Sequence, residues 1–358
     1  MRESALRGWM TGPVLSLLVA GTPALAQGEL TLVDTEAAGP GPGDNMVIVE
    51  RGRASFVVSL AFDGDQAVTH RLEPNASLTF VGRTPTGDGP RAVALARRGE
   101  FAVVVNSHSD DLSVMDVGED GLLREVSRAS SQGLSPFDVA VAHDDLVLVA
   151  NRDSDELAVF HLDRRGNLRL LGKEATGAGP HVVAISPRGL VAVGNSGSSD
   201  LSLFELTRQG ELFPLDTTFA LGAPPIAVSF GTFGRSLFVA ARSAQPLVVE
   251  DRILAYRVDR SGELAAAGSY PGGLFLTDLE ATPRGLFAVT VNSSGQDELR
   301  SYRRRWTDLT LDATLATPGS PPPSFKQVAS APARGPVDRH VFVTEYQAGW
   351  LRSITYER

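Results

Sequence analysis

The feature that most constrains how this chain can fold is an internal repeat. One unit reads Gly89-Pro90-Arg91-Ala92-Val93, then Phe101-Ala102-Val103-Val104-Val105-Asn106, Asp111-Leu112-Ser113-Val114 and Gly121-Leu122-Leu123. It returns as Ser135-Pro136-Phe137-Asp138-Val139, Leu146-Val147-Leu148-Val149-Ala150-Asn151, Glu156-Leu157-Ala158-Val159 and Gly166-Asn167-Leu168. A third copy follows, with Gly179-Pro180-His181-Val182-Val183, Leu190-Val191-Ala192-Val193-Gly194-Asn195, Asp200-Leu201-Ser202-Leu203 and Gly210-Glu211-Leu212. Weaker copies begin at Met46, Pro225, Leu276 and Phe325, so successive starts lie 44, 46, 44, 45, 51 and 49 residues apart. A period of 40 to 50 residues is the signature of arrays, solenoids and propellers.

Each unit holds four short runs rich in Val, Leu, Ile and Phe, separated by Gly, Asp, Asn or Ser, and helical periodicity is absent. Four β-prone runs joined by tight turns predict a four-stranded antiparallel sheet per unit. Sheets of that size, repeated radially so that only short edges stay unpaired, form a β-propeller. The expected fold is therefore all-β, a seven-bladed β-propeller with four-stranded antiparallel blades. The last unit, from Phe325 to Arg358, has room for three strands, while residues 29–40 match the fourth-strand segment of the third unit. The N-terminal strand is thus expected to complete the last blade and remove an open edge. The repeat leaves residues 27–358 as one domain.

The first 26 residues read differently. Arg2 and Arg7 precede a short apolar run over residues 13–20, followed by Ala24-Leu25-Ala26 and Gln27. That is the layout of a cleaved secretory signal peptide, too short in its apolar part to span a bilayer. The expectation is export to a periplasm or the cell exterior, with no membrane-spanning segment in the mature chain. Lys and Arg total 33 against 42 Asp and Glu, a net charge of −9. A chain so short of positive charge is a poor fit to nucleic acid. With no cysteine at all, disulfides, a thiolate zinc site and a cysteine nucleophile are excluded. No metal or organic cofactor is called for, and a ring with protected edges is expected as a monomer.

The run Gly179-Pro180-His181-Val182-Val183-Ala184-Ile185-Ser186-Pro187-Arg188-Gly189, followed by an apolar strand, an Asn, a polar turn and a strand ending in Leu203-Phe204, resembles the lactonase-type seven-bladed propellers. These include bacterial 6-phosphogluconolactonases, fungal carboxymuconate cyclases and YVTN-repeat surface proteins. The resemblance covers nearly all of residues 29–358. It implies a candidate site at the mouth of the central channel and, in the members that are enzymes, reactions that open or close lactones. Members often carry an Arg-His or His-His pair after the Gly-Pro; the present chain has Arg91-Ala92, Phe137-Asp138 and His181-Val182 at those places.

In such a blade the connection into the first strand and the turn after the second open on one face. The starts of the units place Arg91, Asp138, His181, Asp278 and Lys326 there, and the second turns place His108, Arg152, Arg242 and Glu345. Hydrolysis of a lactone needs a base to activate water and fixed positive donors for the oxyanion. His181 is the first candidate base, followed by Glu345 and Asp138. Arg91, Arg242 and Lys326 are candidate oxyanion or carboxylate holders, with His108, Arg152 and Asp278 as further substrate contacts. Asn106, Asn151, Asn195 and Asn292 recur as a turn rule, and Asp63-Gly64-Asp65, Asp110-Asp111 and Asp153-Ser154-Asp155-Glu156 read as solvated hairpin turns. Residues 243–250 enlarge one turn on the same face, and residues 300–306 put four arginines and two aromatics on an outer strand. Two functions stay open: a cofactor-independent hydrolase of a small sugar-acid or aromatic-acid lactone, or a non-enzymatic propeller binding a protein, glycan or small ligand on that top face.

Overall fold

The computed structural model describes residues 29–37, 42–243, 250–283, 285–291, 296–316, 326–330, 340–345 and 350–357. The signal-peptide segment, residues 244–249 and Asn292 lie outside them. The described residues are strands joined by turns and four short 3-10 turns.

After β1 (Glu29–Ala37), the first sheet is β2 (Pro42–Arg51), β3 (Ala54–Ala61), β4 (Gln66–Leu72) and β5 (Leu78–Pro85). The second is β6 (Pro90–Ala96), β7 (Phe101–Asn106), β8 (Asp111–Val117) and β9 (Leu123–Ser130). The third is β10 (Pro136–Val141), β11 (Leu146–Asn151), β12 (Glu156–Leu162) and β13 (Leu168–Ala175). The fourth is β14 (Pro180–Ile185), β15 (Leu190–Asn195), β16 (Asp200–Leu206) and β17 (Leu212–Ala220). Neighbours in each sheet run antiparallel in sequence order, so the four expected runs per repeat are the four strands.

The next two repeats share a strand. β18 (Pro225–Phe230), β19 (Ser236–Ala241), β20 (Asp251–Val258), β21 (Leu264–Ala281), β22 (Gly285–Val291), β23 (Asp297–Arg305) and β24 (Asp308–Ala316) form one seven-stranded sheet. The 18-residue β21 is the last strand of one repeat in its first half, paired with β20, and the first strand of the next in its second half, paired with β22. Its pairing passes from β20 to β22 just after Gly272 and Gly273, the latter at φ 95°. In the last sheet β25 (Lys326–Ser330), β26 (His340–Glu345) and β27 (Trp350–Glu357) are followed at the edge by β1, paired antiparallel with β27.

Packing follows from the burial pattern along each unit. The second strands β7, β11, β15 and β19 are buried at every position, because each faces a neighbouring sheet on both sides. The fourth strands alternate toward solvent. Cores accordingly form between sheets: Val103, Val105 and Val114 pack with Val147, Val149 and Phe160, and Leu148 and Val159 with Val191, Val193 and Phe204. Leu351 of the last sheet shares a core with Met46, Val57 and Leu72 of the first. First strands touch in succession, β2 with β6, β6 with β10, β10 with β14 and β14 with β18, and β25 also meets β2.

The polar turns are the exposed hairpin turns expected of them, but one acid in each does more than meet solvent. Asp65, Asp110 and Asp155 sit in the left-handed region at φ 48°, 54° and 51°. That conformation turns each carboxylate onto the connector that enters the next sheet: Oδ1 accepts from the amides of Gly89 (2.9 Å), Ser135 (2.6 Å) and Gly179 (2.7 Å). Asn106, Asn151 and Asn195 are fully buried at strand ends, which corrects the turn rule expected for them. Asn106 and Asn195 donate to Asp111 (2.6 Å) and Asp200 (2.7 Å) at the start of the following strand. A charge in a turn is ordinarily hydrated; here the repeat uses it to fasten one sheet to the next.

Candidate functional site

The same connectors position the site. Ser107, Arg152, Ser196 and Arg242 donate their amides to the carbonyls of Gly89 (2.9 Å), Ser135 (3.1 Å), Gly179 (3.0 Å) and Pro224 (2.9 Å). The turn after the second strand and the start of the first strand therefore do share a face. Each first strand then opens with a register shift, between Pro90 and Ala92, Pro136 and Asp138, Pro180 and Val182, and Pro225 and Ala227. The residue left out of the ladder is Arg91, Phe137, His181 and Ile226 in turn. A bulge re-aims one side chain, and here the same bulge does so in four successive sheets.

Three of these residues meet one another. The Arg91 guanidinium lies 3.9 Å from the centroid of the Phe137 ring, and Arg152 covers the same ring at 5.2 Å. His181 stands edge-on to Phe137 with centroids 5.9 Å apart. Arg91 also reaches Phe62, at 5.1 Å, against which His108 packs edge-on at 4.9 Å. The result is a patch of two aromatic rings with two guanidiniums over their faces, an arrangement that desolvates the cations partly and keeps them oriented.

His181 is half-buried by accessible surface, yet protein atoms surround its ring. Nδ1 lies 3.1 Å from the carbonyl oxygen of Gly194, which can only accept, so Nδ1 carries the proton and Nε2 is the unprotonated nitrogen. Burial pulls its pKa down from 6.5 to about 4. The carbonyls of Gly194 and Ile226 favour the charged ring, but the positive charges of Arg152 and Arg91 act with the desolvation. The imidazole is thus neutral at physiological pH.

The other sequence candidates fall at the places shown by the ladder. Asp138 accepts from the amide of Val139 (2.8 Å) with one oxygen and from the amide of Val183 in the neighbouring strand (2.8 Å) with the other. Asp278 likewise accepts from Leu279, at 2.8 Å. Arg242 is exposed, and its side chain makes no hydrogen bond or ion pair among the described residues. Lys326 and Glu345 face each other in the β25/β26 register, at one end of the last sheet; only their strand positions are described. Reading polar residues alone missed Phe62 and Phe137. Phe137 was legible, since it stands where the neighbouring repeats carry Arg91 and His181.

On the outer strand β23, the arginines serve the blade itself. Arg300 bonds Glu298 at 2.5 Å, Arg303 pairs with Asp312 at 2.7 Å, and Arg304 donates to the Thr282 carbonyl at 2.9 Å. Among the described residues no helix is long and apolar enough to cross a membrane.

Comparison with known proteins bears on fold and family. The family profile described as lactonase, seven-bladed β-propeller, matches residues 42–139 and 132–230. No curated protein sequence matches the chain. Among solved structures, a putative 6-phosphogluconolactonase from Bacteroides uniformis is 20% identical, with a TM-score of 0.62 over 76% of this chain and 88% of that one. The periplasmic gluconolactonase of Pseudomonas aeruginosa is 19% identical, with a TM-score of 0.62 over 76% and 84%. Hydrazine synthase from Kuenenia stuttgartiensis is similar too, at 16% identity and a TM-score of 0.67 over 90% and 97%. At such identities the likeness is one of fold, and it extends to unrelated activities. The profile spans more than half of the sequence, and the chain belongs to the lactonase family of seven-bladed β-propellers.

Proposed function

We propose that this protein is an exported lactone hydrolase whose site is the patch formed by the bulge residues of successive blades. The full ring has seven blades, with β1 as the outer strand of the last, and the mature chain is a monomer beginning near Gln27. The reading is carried by one observation: Arg91, Arg152 and His181 converge on the ring of Phe137. An aromatic floor suits the apolar face of a small sugar-acid or aromatic-acid lactone. Two guanidiniums above it suit the developing oxyanion and the carboxylate that ring opening releases. Nε2 of His181 is the acceptor for the proton of an attacking water, whose oxygen bonds to the lactone carbonyl carbon, and returns that proton to the ring oxygen as the ring C–O bond breaks, so that the product is the hydroxy acid. Glu345 and Lys326 in the last blade, Arg242, Asp278 and His108 are the further contacts proposed for larger substrates. Family membership and the likeness to a periplasmic gluconolactonase support both chemistry and export.

A second reading rests on the same histidine. A pKa of about 4 makes a feeble base near neutrality, and both charges acting on the ring are positive. A patch that holds an anionic ligand without turning it over fits those facts. The experiment is pH-stat hydrolysis of a panel of γ- and δ-lactones by the mature protein, beside His181→Ala and the double variant Arg91→Ala/Arg152→Ala. Saturable turnover that disappears in the first variant and loses affinity in the second is the expected result. No turnover with any lactone, from folded protein, overturns the hydrolase and leaves the binder.

A further inference from the structure

The face opposite the bulge residues holds a cavity of about 1230 Å³ that the proposed hydrolysis does not use. Its floor is the far ends of three first strands, where Leu95, Val141 and Ile185 keep part of their surface exposed. Its rim is the turns that follow them, contributing Arg97, Arg98, Glu100, Asp144, Asp145 and Arg188, with Arg208 from the next turn along. The volume exceeds the roughly 300 to 1,000 Å³ common for small-molecule pockets.

The rim is built rather than loose. Arg97, Arg98, Asp144 and Asp145 all have positive φ, at 51°, 58°, 65° and 60°, and none is glycine. Four such residues in two facing turns cost free energy that ordinary turn sequences avoid. What they achieve is visible in the contacts. The Arg97 amide donates to Asp145 Oδ1 at 3.1 Å, and its guanidinium pairs with Asp145 and, at 3.1 Å, with Glu100. One arginine therefore absorbs two of the three acids and locks the second blade to the third. Arg98, Arg188 and Arg208 are left with no carboxylate partner among the described residues; Arg188 reaches only the Asp259 carbonyl, at 3.4 Å. In a chain of net charge −9, this rim sets four guanidiniums against three carboxylates, of which Asp144 is the one that Arg97 does not pair with, and so carries a local excess of positive charge around one apolar-floored cavity.

We propose that this cavity is a second ligand site, separate from the patch around Phe137, and that it takes a polycarboxylate with an apolar body. The carboxylates meet Arg98, Arg188 and Arg208, and the body lies on Leu95, Val141 and Ile185. Benzene-1,3,5-tricarboxylate is the probe, with its triamide as the neutral isostere. Titration calorimetry is run on the Arg91→Ala/Arg152→Ala protein, so that the opposite patch contributes nothing. Saturable binding of the tricarboxylate, none of the triamide, and a loss of about tenfold for each of Arg98→Ala, Arg188→Ala and Arg208→Ala are expected. These side chains are at the surface, and matching melting curves establish that the variants fold. Dissociation constants weaker than about 1 mM, equal binding of the triamide, or undiminished binding after all three substitutions overturn the second site. The hydrolase reading stands or falls separately, on turnover by the intact protein.

Discussion

His181 gives the sharpest test of the site, because its environment makes a signed prediction about stability as well as activity. In the unfolded chain its imidazole takes a proton below about pH 6.5; in the fold it does so only below about 4. Between those values the unfolded state holds a proton that the folded state does not. Stability therefore falls as pH drops through that window, and no more is lost to this group below it. At about 1.4 kcal/mol per pH unit the full window is worth about 3 kcal/mol, trimmed to about 2 kcal/mol by the solvent that still reaches the ring. The perturbation is His181→Gln, which keeps a donor for the Gly194 carbonyl and cannot charge. Urea unfolding of both proteins at intervals from pH 7 to pH 4 reads the difference directly. The wild type should lose about 2 kcal/mol more than the variant across the window, and the proton spectrum should show one histidine, missing in the variant, that titrates near 4. If His181 is the base, the acid limb of kcat/KM follows the same value. Parallel stability curves, or a His181 resonance titrating between 6 and 7, would refute the account of burial and paired guanidiniums given above.

Two further substitutions test how the site is held. Asp138→Ala strips the acceptor from the amides of Val139 and Val183, both buried residues, and should cost about 2 to 4 kcal/mol in denaturant unfolding. An Asp138→Ala protein that melts like the wild type but has lost turnover would instead make this carboxylate catalytic. Gly177→Ala would bring a Cβ to 2.5 Å from Asp200 and 2.6 Å from Asn195, and is expected to destabilise by about 1 to 3 kcal/mol. Gly172→Ala, with nothing within 4 Å, is the control and should leave the midpoint unchanged or slightly raised.

The strands were legible because their code is local. Pro90, Pro136, Pro180 and Pro225 open β6, β10, β14 and β18 at the residues where the repeat begins, since an apolar run bounded by turn residues needs no distant information. The common strand β21 was not legible, because continuity between two repeats depends on how Gly272 and Gly273 bend, and their neighbours decide that. The clamps were hidden for a related reason. Asp65 and Asp155 look like any exposed acid in a turn until the left-handed backbone aims them at an amide some two dozen residues away.

The site sits between these cases. Position in the repeat put Arg91, Arg152 and His181 on one face, but only the register shift after each proline explains why they converge. In a regular strand, Arg91, Phe137 and His181 would take their turn in the ladder and point to alternate faces with their neighbours. Unpaired by the bulge, they leave the ladder together, and Phe137, an apolar residue in a polar register, becomes the surface on which two arginines are ordered. A cation held against an aromatic face has already given up part of its hydration and its rotamer freedom, so an incoming carboxylate or oxyanion meets it preorganised. That is why the ring of Phe137, which has no acid-base chemistry of its own, does as much to define the proposed site as the groups around it.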